Sequence, residues 1–396
     1  MLRAVLFEGI DDFAQLESAW NDLARSVDGV RFTQTFEWAR LGWAVKTPLR
    51  GDMILCATVW SGDRLIAVWP FQRTRLGFSS RLEPLGCGMH EEYGDPLMAP
   101  DVDQARVCSE LLQLLVPRAD LIEIPFVKIG APMQVALAQA GILNVVQPFD
   151  AYVVERKGFE GFEALMRGYS GNFRAKLKQN RKRLQSLGDV SFECPQDSRT
   201  CKETVEWVLA EKRRWLLQHN KKSKWLQKIE ASLFFSQIST EDTEFGRVGI
   251  FRLMLSGKIV AAFVTTVDRT RVEGMIMSFD PEHARSSPGM LLMENVTRWC
   301  FERNLDFDMR PLHMDYKERW GNSTSAQLKY RTSLTWRGTA SLLPDYLLHA
   351  LRSLLRSTLS LEQRDAIRRM LNWRHKLKMR DDGAVGRAGN RATGKE

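Results

Sequence analysis

The stretch RVEGMIMSFDPEHARSSPGMLLMENVTRWCFERNLDFDMRPLHMDYKERW, residues 271–320, decides the fold. Arg271–Phe279 reads as a strand. Asp280–Ser287 is a polar loop that ends in Ser-Pro-Gly. Pro288–Arg303 reads as a helix with Leu292, Val296 and Trp299 on its apolar face. Leu305–Met309 is a second, short strand, and an aromatic- and charge-rich segment follows. Ser287 is expected to cap the helix by accepting a free backbone N–H. Pro288 suits the first helical position because its missing N–H costs nothing there. Gly289 leaves room for a close backbone or ligand. A helix start of this kind presents N–H groups and a positive dipole end to an anion, and Arg285 adds a full charge. By itself the junction reads first as a well-capped helix with no ligand, since most capped helices bind nothing.

The order of elements around this stretch occurs twice. Downstream, Arg247–Leu255, a Ser-Gly-Lys turn and Ile259–Asp268 form a hairpin that leads into it. Upstream, Met53–Trp60, Ser-Gly-Asp and Arg64–Phe71 form another. Arg81–Gly88, a polar loop, a helix over Val102–Val116 and a strand over Ala119–Phe126 follow that one. The repetition predicts an internal duplication. The expected class is α/β (α+β): two tandem domains, each a mostly antiparallel sheet flanked by helices, plus a helical C-terminal tail. The boundaries read as 1–155, a basic helical connector at 156–188, a second domain at 189–344, a basic amphipathic tail at 345–380 and a disordered 381–396. Further helices are expected over Asp11–Ser26, over Phe32–Val45 (entered through Thr33 or Thr35) and over Glu203–Leu217. The copies differ at one point. The first-half helix begins near Ala99-Pro-Asp-Val-Asp, where Asp101 and Asp103 repel a phosphate, so an anionic cofactor belongs to the second half.

Composition narrows the function. The chain has 396 residues, 44% hydrophobic and 27% charged, which is ordinary for a globular protein of two domains. No run of ~18 apolar residues spans a membrane, and the N-terminus turns acidic too early for a signal peptide. Six scattered cysteines and six histidines show no metal spacing, so free thiols and no metal are expected, in the cytoplasm. The net charge of +9 concentrates in Arg174–Arg183 and in the tail. That pattern suggests local anion sites and speaks against a nucleic-acid surface. A helix over 171–187 puts Arg174, Lys178 and Arg181 on one face, either as a solvated face or as a contact for an anionic acceptor. In the tail, Tyr346–Leu359 and Leu361–Leu377 combine leucines with Arg364, Arg368, Arg369 and Arg374. That composition suits a peripheral contact with an anionic membrane, or packing on the second domain.

Four stretches together carry a family resemblance: Phe32–Trp38 (FTQTFEW), Arg64–Phe71 (RLIAVWPF), Asn172–Gly188, and Ser287–Leu291 with Phe307–Trp320 (FDMRPLHMDYKERW). Over about residues 1–340 the chain resembles the double-GNAT acetyltransferases of the cellulose- and exopolysaccharide-biosynthesis type, related in plan to Fem-type ligases. The resemblance implies acyl transfer from acetyl-CoA, or another acyl-CoA, to an amine or hydroxyl of a sugar or polysaccharide precursor. It places the pyrophosphate against Arg285, Ser286, Ser287, Gly289 and Met290, and the pantetheine near Met277 and Ser278. One departure stands out: Arg285-Ser-Ser-Pro-Gly replaces the usual Gln/Arg-x-x-Gly-x-Gly/Ala loop, and this leaves room for a different donor. A Fem-like aminoacyl-tRNA donor and a non-catalytic accessory role are the alternatives.

The chemistry needs a base, an acid and a donor to the thioester oxygen. Asp308 and Glu273 are the candidate bases, and the resemblance makes Tyr316 the acid for the leaving thiolate. Alternatively, Asp308 orients Lys317 or caps a turn, Glu273 sits on a solvent face, and Tyr316 and Trp320 are packing residues. Lys317 and Trp320 are candidate substrate contacts, as are Arg174 and Lys178. Glu92, Tyr93 and Asp95 are expected to line the acceptor cleft between the halves.

Overall fold

The computed structural model describes residues 2–89, 91–143, 148–219, 221, 223, 225–344 and 347. The first half contains β1 (Leu2–Glu8), α1 (Ile10–Ala14), α2 (Glu17–Ser26), α3 (Phe36–Ala44), β2 (Met53–Ser61), β3 (Arg64–Leu76), β4 (Ser79–Pro84), β5 (Leu97–Met98), α4 (Gln104–Leu115), β6 (Leu121–Lys128), α5 (Pro132–Gln139) and β7 (Phe149–Val154). The second half opens with α6 (Phe162–Gly168), α7 (Gly171–Gln185), β8 (Val190–Glu193), α8 (Ser198–Gln218), α9 (Ile229–Ile238) and β9 (Asp242–Thr243). It continues with β10 (Gly246–Leu255), β11 (Lys258–Val267), β12 (Arg271–Phe279), α10 (Pro288–Glu302), β13 (Asp306–Asp308), α11 (Asp315–Trp320) and β14 (Ser323–Ser333).

Most expected elements are present, with local differences. The helix expected over 11–26 is two helices, because Leu16 N–H bonds to Phe13 O, three residues back, and the chain restarts at Glu17. Thr35 caps α3 by accepting the Trp38 N–H at 3.4 Å. The loop at 280–287 carries a 3-10 turn over Pro281–Ser286.

The larger difference lies in the sheet. The two halves form one sheet in the order β1-β2-β3-β4-β6-β14-β7-β13-β12-β11-β10-β8. In each half a parallel pair, β4–β6 or β12–β13, follows an antiparallel hairpin. The last strand of each half crosses over: β7 pairs with β13, and β14 pairs with β6 and with β7. Hydrogen bonding therefore runs across residue 155 in both directions, and the inner edges that two separate sheets would expose are mutually satisfied.

Three clusters make the core. One lies under the first half around Phe13, Trp20, Phe71 and Leu111. A second lies under α10 around Leu292, Val296, Phe307 and Trp320. The third joins Phe32, Trp38 and Leu41 to α8, α9 and the strands β10–β12. Trp38 is 1% exposed and meets Phe234 edge to face at 4.8 Å. An indole buried this fully contributes on the order of 4 kcal/mol by area, so the segment that opens with Phe32 is anchored on second-half helices.

Residues 1–338 form one compact unit and 339–396 another. In the second unit, 339–344 are helical. The two tail helices expected after residue 345, and the disordered terminus, lie outside the described residues. No described helix is long and apolar enough to cross a membrane.

Candidate active site

Strand β12 is paired with β13 over three residues only: Arg271 with Asp306, Val272 with Phe307 and Glu273 with Asp308. Beyond that point the strands part, and Gly274–Phe279 have no strand partner on this edge. A bulge leaves Met275 extra between Gly274 and Ile276 at the apex of the opening. Six unpaired residues span about 20 Å. Met277 is half-buried and Phe279 is exposed at the far end, where both face the start of α10. A Cβ at Gly289 would meet Met277 Cε and Phe279 at 3.6 Å. The result is a groove with a free strand edge on one side and a helix start at its mouth.

The first half has the same opening between β4 and β6, but there the chain fills it. Gly94 N–H donates to Phe126 O at 2.8 Å, and Gly94 O accepts Trp69 Nε1 at 2.9 Å. A Cβ at Gly94 would lie 2.6 Å from Pro125 O, so no other residue fits. At the following helix start, Asp103 accepts the Arg106 N–H and Asp101 pairs with Arg64. The plug carries Tyr93 across to the second half, where its hydroxyl lies 3.0 Å from both oxygens of Asp308.

Asp308 belongs to a buried cluster. Besides Tyr93 it accepts the Arg310 N–H at 2.7 Å and Arg31 Nη1 at 3.3 Å. The same Arg31 nitrogen bonds Glu273 Oε1, and the guanidinium lies 4.0 Å from the Tyr93 ring centroid. Glu273 is 1% exposed, not on a solvent face, and its Oε2 has no partner. Burial pushes the Tyr93 phenol far above its ordinary value. Asp308 does not orient Lys317. Instead, Lys317 Nζ donates to Arg310 O at 3.1 Å and Pro311 O at 2.9 Å. These bonds hold a tight loop in which Arg310 and Leu312 have φ of 64° and 82°. Burial pulls Lys317 down to about 8 and pushes Tyr316 up to about 12. A phenol at that value is a proton donor at neutral pH.

Three expectations need correction. Ser287 makes no side-chain cap, because at φ 47° and ψ 56° it is left-handed and its side chain points away from the first turn. Its N–H donates to Ala284 O and the Met290 N–H to Ser287 O. Pro288 has none, so Gly289 carries the N–H of this stretch that no backbone acceptor takes. The Ser278 hydroxyl donates to Val208 O at 3.0 Å on the α8 side of the sheet, so any contact of this residue with a ligand along the groove is through its backbone and not its hydroxyl. Trp320 is 0% exposed among Tyr169 and Phe173, so it packs and offers no face to a substrate.

The other expected residues are distributed as follows. Ser286 is buried, Met290 is half-buried and Arg285 is exposed. Helix α7 packs its Leu177, Asn180 and Leu184 side against α10 and the 3-10 turn, and Arg181 pairs with Glu294 of α10. Arg174 and Lys178 are exposed on that helix, and Arg183 near its end reaches Arg285 O at the groove mouth. Glu92 is buried, accepting the Cys87 thiol at 2.7 Å and the Glu91 N–H at 3.1 Å. Tyr93 and Asp95 line a cavity of about 350 Å³, together with Arg31, Lys128, Arg271 and the hydroxyl-bearing Ser323–Ser325. Burial raises Asp95 to about 6, against the pull of Arg31. Among the described residues no group of His, Cys, Asp and Glu could hold a metal ion. Two residues of this site, Arg31 and Arg310, escaped the sequence reading. The signals were present: Arg31 directly precedes FTQTFEW, and Arg310 follows the short strand in FDMRP.

The strand pair that parts beside a helix start lies within the stretch that comparison with known proteins identifies. Residues 171–318 match the family model described as an acetyltransferase (GNAT) domain. The protein is an acyltransferase with a GNAT fold. FemX is similar in structure at a TM-score of 0.57 and 10% identity, covering 80% of this chain and 96% of that one. The C-terminal domain of a putative lysylphosphatidylglycerol synthetase from Agrobacterium fabrum gives 0.53 and 14%, covering 85% and 97%. At these identities the likeness is one of fold. No curated protein matches the chain in sequence.

Proposed function

We propose that the protein transfers an acyl group from acyl-CoA to an amine or hydroxyl of a sugar or polysaccharide precursor. The unpaired edge of β12 beside the start of α10 carries this reading. A pantetheine arm can bond along Gly274–Phe279 as a missing strand would, with its phosphates toward Gly289 N–H and the exposed Arg285 and Arg183. The polar cavity between the halves, rich in hydroxyls and charges of both signs, suits a polyhydroxylated acceptor.

In the reaction the acceptor nitrogen or oxygen bonds to the carbonyl carbon, the C–S bond breaks, and the thiolate takes a proton. Tyr316 is the acid for that proton. Asp308 is held by three donors and positions Tyr93 and Arg31 rather than accepting a proton. For a hydroxyl acceptor, Glu273 Oε2 is the free carboxylate oxygen that could take the proton. This reading sets the reaction in the cytoplasm, with the tail after residue 345 as a contact for the inner face of the membrane.

The test is calorimetric titration with CoA, acetyl-CoA and ATP, on the native protein and Gly289→Asp. A Cβ at Gly289 meets its neighbours only at ordinary contact distance, so the variant adds negative charge to the groove mouth without a clash at its first side-chain atom. CoA binding that falls about tenfold or more in the variant supports the groove. A second reading, an aminoacyl-tRNA donor, draws on the likeness to FemX and the exposed cations of α7. Binding of RNA with a steep salt dependence, and of no CoA ester, would replace the first reading with this one.

A further inference from the structure

Arg310 is the buried charge that the mechanism above does not use. Among the described residues the buried cations are Arg310, 3% exposed, and Lys317, 8% exposed. Lys317 has two carbonyl acceptors. The Arg310 guanidinium has none: Nη1 lies 2.7 Å from the Met275 sulfur, a weak acceptor, while Nε and Nη2 are buried without a partner. Among the described residues no carboxylate hydrogen-bonds the free Nε and Nη2. Asp308 takes the Arg310 backbone N–H, and Glu92 takes the Cys87 thiol and the Glu91 N–H. Arg31 provides a contrast on the same strands, since it engages both Glu273 and Asp308.

A buried guanidinium with two N–H groups left unbonded is strongly unfavourable. A single carbonyl oxygen would satisfy one of the two. A carboxylate satisfies both at once through the planar fork. The location narrows the source. Met275 is the bulged residue at the apex of the groove, where β12 and β13 part. A donor lying along Gly274–Phe279 with its phosphates at Gly289 brings its acyl end to this apex.

We propose that Arg310 receives a carboxylate at the acyl end of the donor groove, so that the group transferred is a dicarboxylic acyl such as succinyl or malonyl rather than acetyl. The inference rests on the acyl-CoA reading and names its donor class. Positive charge accumulated by Lys317 beside Arg310, each repelling the other, is relieved by the same carboxylate.

The experiment is titration of the full chain with CoA, acetyl-CoA and succinyl-CoA, repeated on Arg310→Met and Arg310→Lys. Expected is succinyl-CoA binding about tenfold or more tighter than acetyl-CoA. Arg310→Met should erase that difference and leave CoA itself bound as before, while Arg310→Lys should keep part of it. Methionine removes two buried N–H groups that have no acceptor, so the ligand-free variant should melt no lower than the native protein, which separates lost recognition from lost folding. Succinyl-CoA binding no tighter than acetyl-CoA, or a preference that survives in Arg310→Met, overturns the proposal while the groove stands. Failure of CoA and both esters to bind overturns the donor reading, and this inference with it.

Discussion

Replacing Lys317 by methionine tests how the reactive loop is held. The ammonium is buried, and desolvation pulls it from 10.5 down to about 8. Its value in the folded protein is therefore below its value in the unfolded chain. Between about pH 8 and 10.5 the unfolded chain keeps a proton that the folded protein has released, so stability rises with pH through that window. At neutral pH both states are charged and the folded state bears the whole difference. The gap between 10.5 and about 8 corresponds to about 3 kcal/mol. Against it stand the two bonds to Arg310 O and Pro311 O, worth about 1 kcal/mol each. Lys317→Met loses both terms, so the two proteins should differ little at pH 7. From pH 7 to pH 10 the native protein should gain about 2 kcal/mol relative to the variant. Urea denaturation at pH 7, 8.5 and 10, with ΔG extrapolated to water for each protein, reads this directly. The buried thiols titrate in the unfolded chain over the same range and destabilise both proteins equally, so they cancel in the difference. Parallel pH profiles would refute the claim that Lys317 is a desolvated ammonium clamping this loop.

Two further changes address the junction between the halves. Tyr93→Phe removes the hydroxyl that bridges both Asp308 oxygens and should destabilise by about 1–3 kcal/mol. Combined with Asp308→Asn in a double-mutant cycle, it should show a coupling above about 1 kcal/mol, and simple additivity would mean that the bridge contributes nothing. Gly94→Ala drives a methyl against Pro125 O at 2.6 Å, whereas the same change at Gly289 meets nothing closer than 3.6 Å. Thermal melts should show a loss of about 2 kcal/mol or more for the first and almost none for the second. Equal losses would undo the account of the plugged first-half groove.

The strand and helix that flank the groove were legible in the sequence because their signals are local. Strand alternation, the Ser-Gly turns and Pro288 at a helix start act over a few residues, so β12, α10 and the repeated order of elements follow from periodicity and turn chemistry alone. The side-chain roles were less legible. Ser287 reads as a cap by residue type, but the left-handed backbone that closes the 3-10 turn removes it from that role. Ser278 and Trp320 carry the right chemistry for a site, yet strand alternation and packing against Tyr169 turn them away from it.

What only the tertiary structure decided is everything that crosses between the halves. The exchange of β7 and β14 into one sheet depends on edges meeting, and nothing in either strand's own sequence names its neighbour. Arg31 and Asp308 stand 277 residues apart in the chain and share a hydrogen bond. Glu273 reads from the sequence as a candidate base or a solvent-facing residue, and only the folded chain buries it against Arg31. Arg310 is an ordinary cation in the sequence, and only burial without a partner makes it a site. The sequence determined the local conformations, whose energies depend on near neighbours. Burial, charge pairing and the parting of β12 from β13 depend on distant segments, and the folded chain alone sets them.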